Sequence, residues 1–312
     1  MAIDINGGIQ NAPIEEEPIQ NPIDITPEVN DELPPISKQF GAKGLSPEEI
    51  NEPNKIVVTI ADQETPIVML FGPPSCGKTM TLIRLTRYLQ SQGYTIDPVR
   101  TFRPTYDTHY ADLCDNFDQM INSNDAARST DQISFLLVQV LKQGRPICQI
   151  LEAPGEHYFM QDDPNNMFPA YINAIIASSC RKIWSIFVEP GWNDAIHRAN
   201  YVTKITGLKS RMAPRDKTLF ILNKIDKTHL VFAPGRVNMK QAIKQTQDLY
   251  PNIFTPFLNL NPITKLWKKY NCDLVPFQTG YYNQNTDGYL YVEGPVEYPK
   301  LLWGKILKLV NG

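Results

Sequence analysis

Phe71-Gly-Pro-Pro-Ser-Cys-Gly-Lys-Thr-Met80, FGPPSCGKTM, decides the fold of this 312-residue chain. It follows the apolar run Pro66-Ile-Val-Met-Leu70. After it comes Thr81-Leu-Ile-Arg-Leu-Thr-Arg-Tyr-Leu-Gln90, whose apolar residues recur at helical spacing, so it lies where a strand turns into a helix. Gly72 to Thr79 satisfy G-x-x-x-x-G-K-[ST] at every position. A turn of this composition wraps a phosphate with Gly72, Pro73, Pro74, Ser75, Cys76 and Gly77, through backbone N–H groups and the positive end of the following helix. Lys78 then bridges the β- and γ-phosphates, the Thr79 hydroxyl ligates Mg²⁺, and Met80 completes the first helical turn.

Composition bounds the rest. With 42% hydrophobic and 20% charged residues the chain can bury a sizeable core. No apolar run approaches the roughly 18 residues that span a bilayer, and the N-terminus has neither a basic start nor an apolar secretory stretch, so the expected compartment is the cytoplasm. Five scattered cysteines, Cys76, Cys114, Cys148, Cys180 and Cys272, with no C-x-x-C pair, argue against a disulfide framework and a zinc site. The net charge of −3 is unevenly divided: residues 1–53 carry eleven acids against Lys38 and Lys43, a segment charge of −9 that leaves +6 for 54–312. That body is only modestly basic and has no dense Lys/Arg stripe, which speaks against a nucleic-acid partner.

Residues 1–53 hold eight prolines and no regular period, and read as an acidic, Pro-rich, disordered arm. From residue 54 short β-branched runs alternate with longer amphipathic stretches, the pattern of an α/β domain: a mainly parallel sheet, an antiparallel edge hairpin and helices on both faces in three layers. Lys55–Ile60 and Pro66–Gly72 read as a hairpin leading into the phosphate loop. Residues 108–123 read as an inserted helix, and the runs on either side of Lys142-Gln-Gly144 as an antiparallel hairpin. Strands follow in KIWSIFVEP, DKTLFILNKID and CDLVPFQTG, with helices between them. Residues 281–293 read as a late hairpin turning at Asp287-Gly288, and YPKLLWGKILKLV as a closing helix packed on the sheet.

Three further stretches bear on the ligand. Asn223-Lys-Ile-Asp226 ends an apolar strand and resembles the N-K-x-D element of P-loop GTPases. In that element Asn223, Lys224 and Asp226 would surround guanine, the carboxylate accepting from N1–H and the exocyclic amine, donors that adenine does not present together. Glu152-Ala-Pro-Gly155 ends another apolar strand and looks like the D-x-x-G element, with Glu152 in place of the aspartate that holds Mg²⁺ and Gly155 at the γ-phosphate. Gln278-Thr279-Gly280 follows the last parallel strand, as the S-A-[KL] element does. Together these resemble P-loop GTPases of the Ras-like and translation-factor-related (TRAFAC) class, in a bacterial branch, over residues 55–310. The resemblance implies a three-layer P-loop NTPase fold, GTP/GDP and Mg²⁺ as cofactors, and a protein effector or regulator. By position it implies Thr130 as the Mg²⁺-sensing threonine, with Thr105 and Thr108 as rivals.

The same resemblance implies GTP hydrolysis. Lys78 and Gly155 would act at the phosphates, Glu156 occupies the place of a water-orienting residue with His157 beside it, and Arg128 sits where Gα subunits carry a cis arginine. Three readings stand side by side: a slowly hydrolysing GTP switch; a nucleotide-binding scaffold with little or no hydrolysis, suggested by Glu152 and Glu156; and an AAA+-type ATPase, suggested by Pro73 and Pro74, since G-P-P also opens that family's loop.

Overall fold

The computed structural model describes residues 44–122, 135–285 and 288–312. Strand β1 (Ile67–Phe71) is buried along its whole length, which requires both of its faces to be covered. It lies between β4 (Arg145–Glu152) and β5 (Lys182–Val188), parallel to each, with Val68 opposite Ile150 and Ile183. Adding β2 (Thr95–Pro98), β3 (Leu136–Lys142), β6 (Lys217–Leu222) and β9 (Asp273–Pro276) gives a seven-stranded sheet of order β2-β3-β4-β1-β5-β6-β9. Strand β3 alone runs against the others, antiparallel to both β2 and β4. This is an α/β P-loop fold, and its parallel strands deliver their C-terminal ends to one edge of the sheet. Two small hairpins stand outside it, β7 (Val231–Ala233) with β8 (Arg236–Val237), and β10 (Gly280–Asn285) with β11 (Gly288–Glu293).

Among the described residues the α-helices are α1 (Pro47–Asn51), α2 (Lys78–Ser91), α3 (Thr108–Asp115), α4 (Phe117–Asn122), α5 (Gly155–Tyr158), α6 (Ala170–Ala177), α7 (Ala195–Arg211), α8 (Met239–Leu249) and α9 (Glu297–Asn311). Several start at side-chain caps: Asp107, Asp194 and Asn238 accept from the N–H three residues on, each such cap contributing about 1 kcal/mol. The core is aromatic behind the phosphate loop, where the Phe71 ring packs on Tyr158, Phe168, Trp184 and Tyr201 at centroid distances of 5.0–6.3 Å.

The structure departs from the sequence reading in four places. Lys55–Ile60 is not a strand: both edges of β1 are already taken by β4 and β5, so this run stays outside the sheet, with Thr59 N–H donating to Phe102 O at 2.8 Å. The antiparallel β3–β4 hairpin is not the sheet edge, because β2 pairs outside it. The inserted helix is two, α3 and α4, broken at Asn116. Finally, Leu45 is buried, α1 carries a capping box between Ser46 and Glu49, and Glu49 pairs with Arg103, so residues 45–49 pack with the domain although they precede the boundary drawn at residue 53. In the late hairpin Gly288 already pairs with Asn285, while Asp287 lies outside the described residues.

Candidate functional site

The motif residues sit at the C-terminal ends of four parallel strands, the phosphate loop after β1, Glu152 at the end of β4, Asn223 after β6 and Gln278 after β9. Ligands of open α/β sheets bind at such edges, where strand ends and helix N-termini converge.

The phosphate loop closes through two left-handed residues, Ser75 (φ 61°) and Gly77 (φ 89°). At Gly77 glycine is required twice over: its φ disfavours a side chain, and a Cβ there would lie 2.4 Å from Asn223 Nδ2. That same Nδ2 donates to Cys76 O at 2.8 Å, and Asn223 N–H donates to Val188 O at 2.9 Å. The first residue of the NKID stretch is therefore a buried brace on the phosphate loop. Lys78 is buried, its ammonium donating to Gly72 O (3.2 Å) and Pro73 O (3.1 Å). Cys76 is buried too, and burial pushes its thiol up to about 12, so it is inert filling.

Thr79 Oγ1 donates to Glu152 Oε1 at 2.9 Å, joining the loop helix to the end of β4. Burial raises the Glu152 carboxyl to about 7, against the opposing effects of the Lys78 charge and the Thr79 hydrogen bond. Its second oxygen, Oε2, is buried with no hydrogen-bond partner among the described residues. An orphaned carboxylate oxygen beside a threonine hydroxyl at a phosphate loop suits Mg²⁺ held through water, so these residues fit the ion despite the extra methylene of glutamate. Gly155, the first residue of α5, approaches the loop so closely that a Cβ would lie 2.3 Å from Pro74 N and 2.5 Å from Pro73 C.

Next to it the two candidate hydrolytic residues diverge. Glu156 is exposed. His157 is turned into the core, its Nδ1 2.8 Å from Tyr171 OH, and burial together with the Lys78 charge lowers it to about 4. Arg128 and Thr130 lie outside the described residues. Their rivals Thr105 and Thr108 precede and open α3.

At the other end of the site Lys224 adopts φ 55° and pairs with Glu189, the residue immediately after β5. Asp226 is exposed on a short 3₁₀ turn fixed by Ile225 N–H to Phe277 O at 3.1 Å. Gln278 is buried against Gly294. Thr279 O accepts from Tyr291 OH at 2.8 Å, and Tyr282 stands beside both Thr279 and Asp226. Sequence reasoning missed Glu189 and Tyr282. Glu189 follows an apolar strand just as Glu152 and Asn223 do, so its position was a usable signal; Tyr282 gave none. Also missed was the tie by which β11 returns to the loop helix: Arg84 pairs with Glu293 and donates to Gly294 O at 2.6 Å.

No protein-family model and no curated protein matches the chain. Among solved structures it is similar to a Plasmodium falciparum protein described as nucleolar GTP-binding protein 1, at TM-score 0.40 and 14% identity over 81% of this chain and 90% of that one. It is also similar to the GTPase-like domain of S. cerevisiae Ski7 bound to GTP, at TM-score 0.37 and 15% identity over 86% of this chain and 52% of that one. A third is the translation elongation factor SelB of Methanococcus maripaludis in complex with the GTP analogue GPPNHP, at TM-score 0.32 and 14% identity over 70% of this chain and 31% of that one.

Proposed function

We propose that this protein binds GTP and GDP with Mg²⁺ as a member of the Ras-like and translation-factor-related class, in a bacterial branch, and works in the cytoplasm as a slowly hydrolysing switch read by a protein effector. The observation that carries the reading is the Asn223 brace: the loop that would read the base is hydrogen-bonded into the loop that would hold the phosphates. Around it, Lys78 neutralises phosphate charge, Thr79 and Glu152 hold Mg²⁺, Asp226 selects guanine, and Gln278 and Thr279 line the base. Bound Mg²⁺ would draw charge from the phosphates as it builds during transfer. Gly155, packed against Pro73 and Pro74, would carry γ-phosphate occupancy into α5. Thr130 is the proposed sensing threonine and Arg128 the proposed cis cation.

The scaffold reading has its own support. His157 is tied to Tyr171 and Glu156 is exposed, so neither is held as a water-orienting group; turnover would then be slow or depend on a group supplied by a partner. The AAA+ reading rests on Pro73 and Pro74 alone, and neither Glu152 nor Glu189 is preceded by aspartate at its strand end.

Calorimetric titration with GDP, GTP, ADP and ATP in Mg²⁺, on the parent and on Asp226→Asn, tests the reading. The expected outcome is a guanine preference that the substitution abolishes. Equal or adenine-favouring affinities in the parent would refute it.

A further inference from the structure

Residues 258–272 leave the sheet just before the edge strand β9, at its N-terminal end. The phosphate loop leaves β1 at its C-terminal end, and the two strands run in the same direction. The two loops therefore lie at opposite ends of the sheet.

This loop has a built stem. Leu258 bridges to Tyr270, Asn259 N–H donates to Lys269 O at 2.9 Å, and the buried Asn259 side chain donates to Lys268 O at 3.0 Å. Beyond the stem Asn259 Oδ1 accepts from Asn261 N–H (3.1 Å), and Asn261 Oδ1 accepts from Ile263 N–H (3.0 Å). What this scaffold displays is apolar: Leu260 is 87% exposed, Leu266 80%, Trp267 79% and Ile263 66%. Scattered apolar side chains on a surface are ordinary, but four large exposed ones within eight residues of a hydrogen-bonded loop mark a contact surface.

Charge identifies what it contacts. Residues 258–272 contain Lys265, Lys268 and Lys269 and no acid. At the loop's base Asp273 is shared between Lys268 (3.1 Å) and Lys305 of α9 (3.7 Å), and Lys308 adds its charge there. The collar around the apolar tip is thus positive. Tryptophan settles at the headgroup level of a bilayer, leucine and isoleucine reach below it, and lysine stems lie along the apolar boundary while their ammonium groups meet anionic headgroups.

We infer that residues 258–272 dock this protein on an anionic lipid bilayer. The preformed stem spares most of the ordering cost of insertion, and docking from this end points the nucleotide edge away from the bilayer. Docking of this kind does not depend on which nucleotide the protein binds.

Co-sedimentation of the full chain with phosphatidylcholine vesicles, with and without phosphatidylserine, tests it. The expected result is binding that requires phosphatidylserine, weakens with salt and shifts tryptophan emission to the blue, since Trp184 and Trp303 are buried and Trp192 is half-buried while Trp267 is exposed. Leu266→Ser with Trp267→Ser is expected to weaken binding about a hundredfold, as two apolar side chains stay in water. Lys265→Gln and Lys269→Gln together should weaken it by about twenty-five-fold, at about fivefold per lysine. These side chains are exposed, so both variants should keep the parent's melting temperature, which makes lost binding interpretable. Absence of binding to phosphatidylserine vesicles overturns the inference, as does binding that either variant leaves intact. Lipid-free self-association abolished by the Leu266/Trp267 variant would also overturn it and assign the loop to a second copy.

Discussion

Asn223→Ala separates the two jobs that the NKID stretch combines. The Asn223 side chain is 2% exposed, and its amide holds the Cys76 carbonyl at 2.8 Å inside the phosphate loop. Truncation leaves that carbonyl without its side-chain donor and opens space in front of Gly77, costing about 2 kcal/mol, roughly a thirtyfold change in the folding equilibrium. Asp226 is exposed and three residues away, so Asp226→Asn should stay within about 0.5 kcal/mol of the parent. Urea unfolding without nucleotide measures both. With nucleotide added, Asn223→Ala should lose affinity for guanine and adenine nucleotides alike, because the phosphate cradle is loosened, whereas Asp226→Asn should lose only the preference between them. An Asn223→Ala protein as stable as the parent would refute the brace, and so would an Asp226→Asn protein destabilised as much as Asn223→Ala.

Two other outcomes follow from the same region. His157 is held neutral, its pKa lowered to about 4 by burial and by the Lys78 charge, while the unfolded chain takes a proton near the ordinary value of 6.5. Below pH 6.5 the unfolded state therefore binds more protons at this group, and its contribution to stability should fall by about 3 kcal/mol as pH drops to 4, against the opposite contribution of Glu152, whose raised carboxyl takes its proton first in the folded state; His157→Gln, measured by denaturation across that range, should gain about that much on the parent toward pH 4, and a profile parallel to the parent's refutes the assignment. Gly155→Ala places a methyl 2.3 Å from Pro74 N, a backbone neighbour that cannot swing aside. It should cost about 1–3 kcal/mol in thermal unfolding and weaken triphosphate binding more than diphosphate binding; equal weakening of the two would sever Gly155 from γ-phosphate sensing.

How much of this was legible follows from the range over which each feature is decided. The phosphate loop, the apolar strands and the helix caps are local: glycine at a left-handed turn, β-branched runs and Asp or Asn before a helix each act within a few residues. Gly77 and β5 could be placed from the sequence for that reason. Lys55–Ile60 shows the limit of local reading, for its residues favour a strand as strongly as those of β1, and only the occupation of both β1 edges excludes it. The edge strand Thr95–Pro98 shows the converse. It is four residues long with one buried side chain, too weak a pattern to read, and exists because Val138 to Leu141 offer it a ladder.

The contacts that join the separate parts of the candidate site are non-local. Thr79 meets Glu152 across 73 residues and Asn223 meets Cys76 across 147. Sequence order could line up the types that such a site needs, but not the direction in which each side chain turns. His157 makes the point: two residues after Gly155 it has the chemistry to serve the phosphates, yet Tyr171, fourteen residues on and fully buried, supplies a partner that holds the imidazole in the core. Releasing it toward a nucleotide would break that hydrogen bond and leave Tyr171 OH buried without its imidazole partner, a cost of about 1–3 kcal/mol. Any rearrangement that turns His157 toward the phosphate loop must therefore break this contact between α5 and α6.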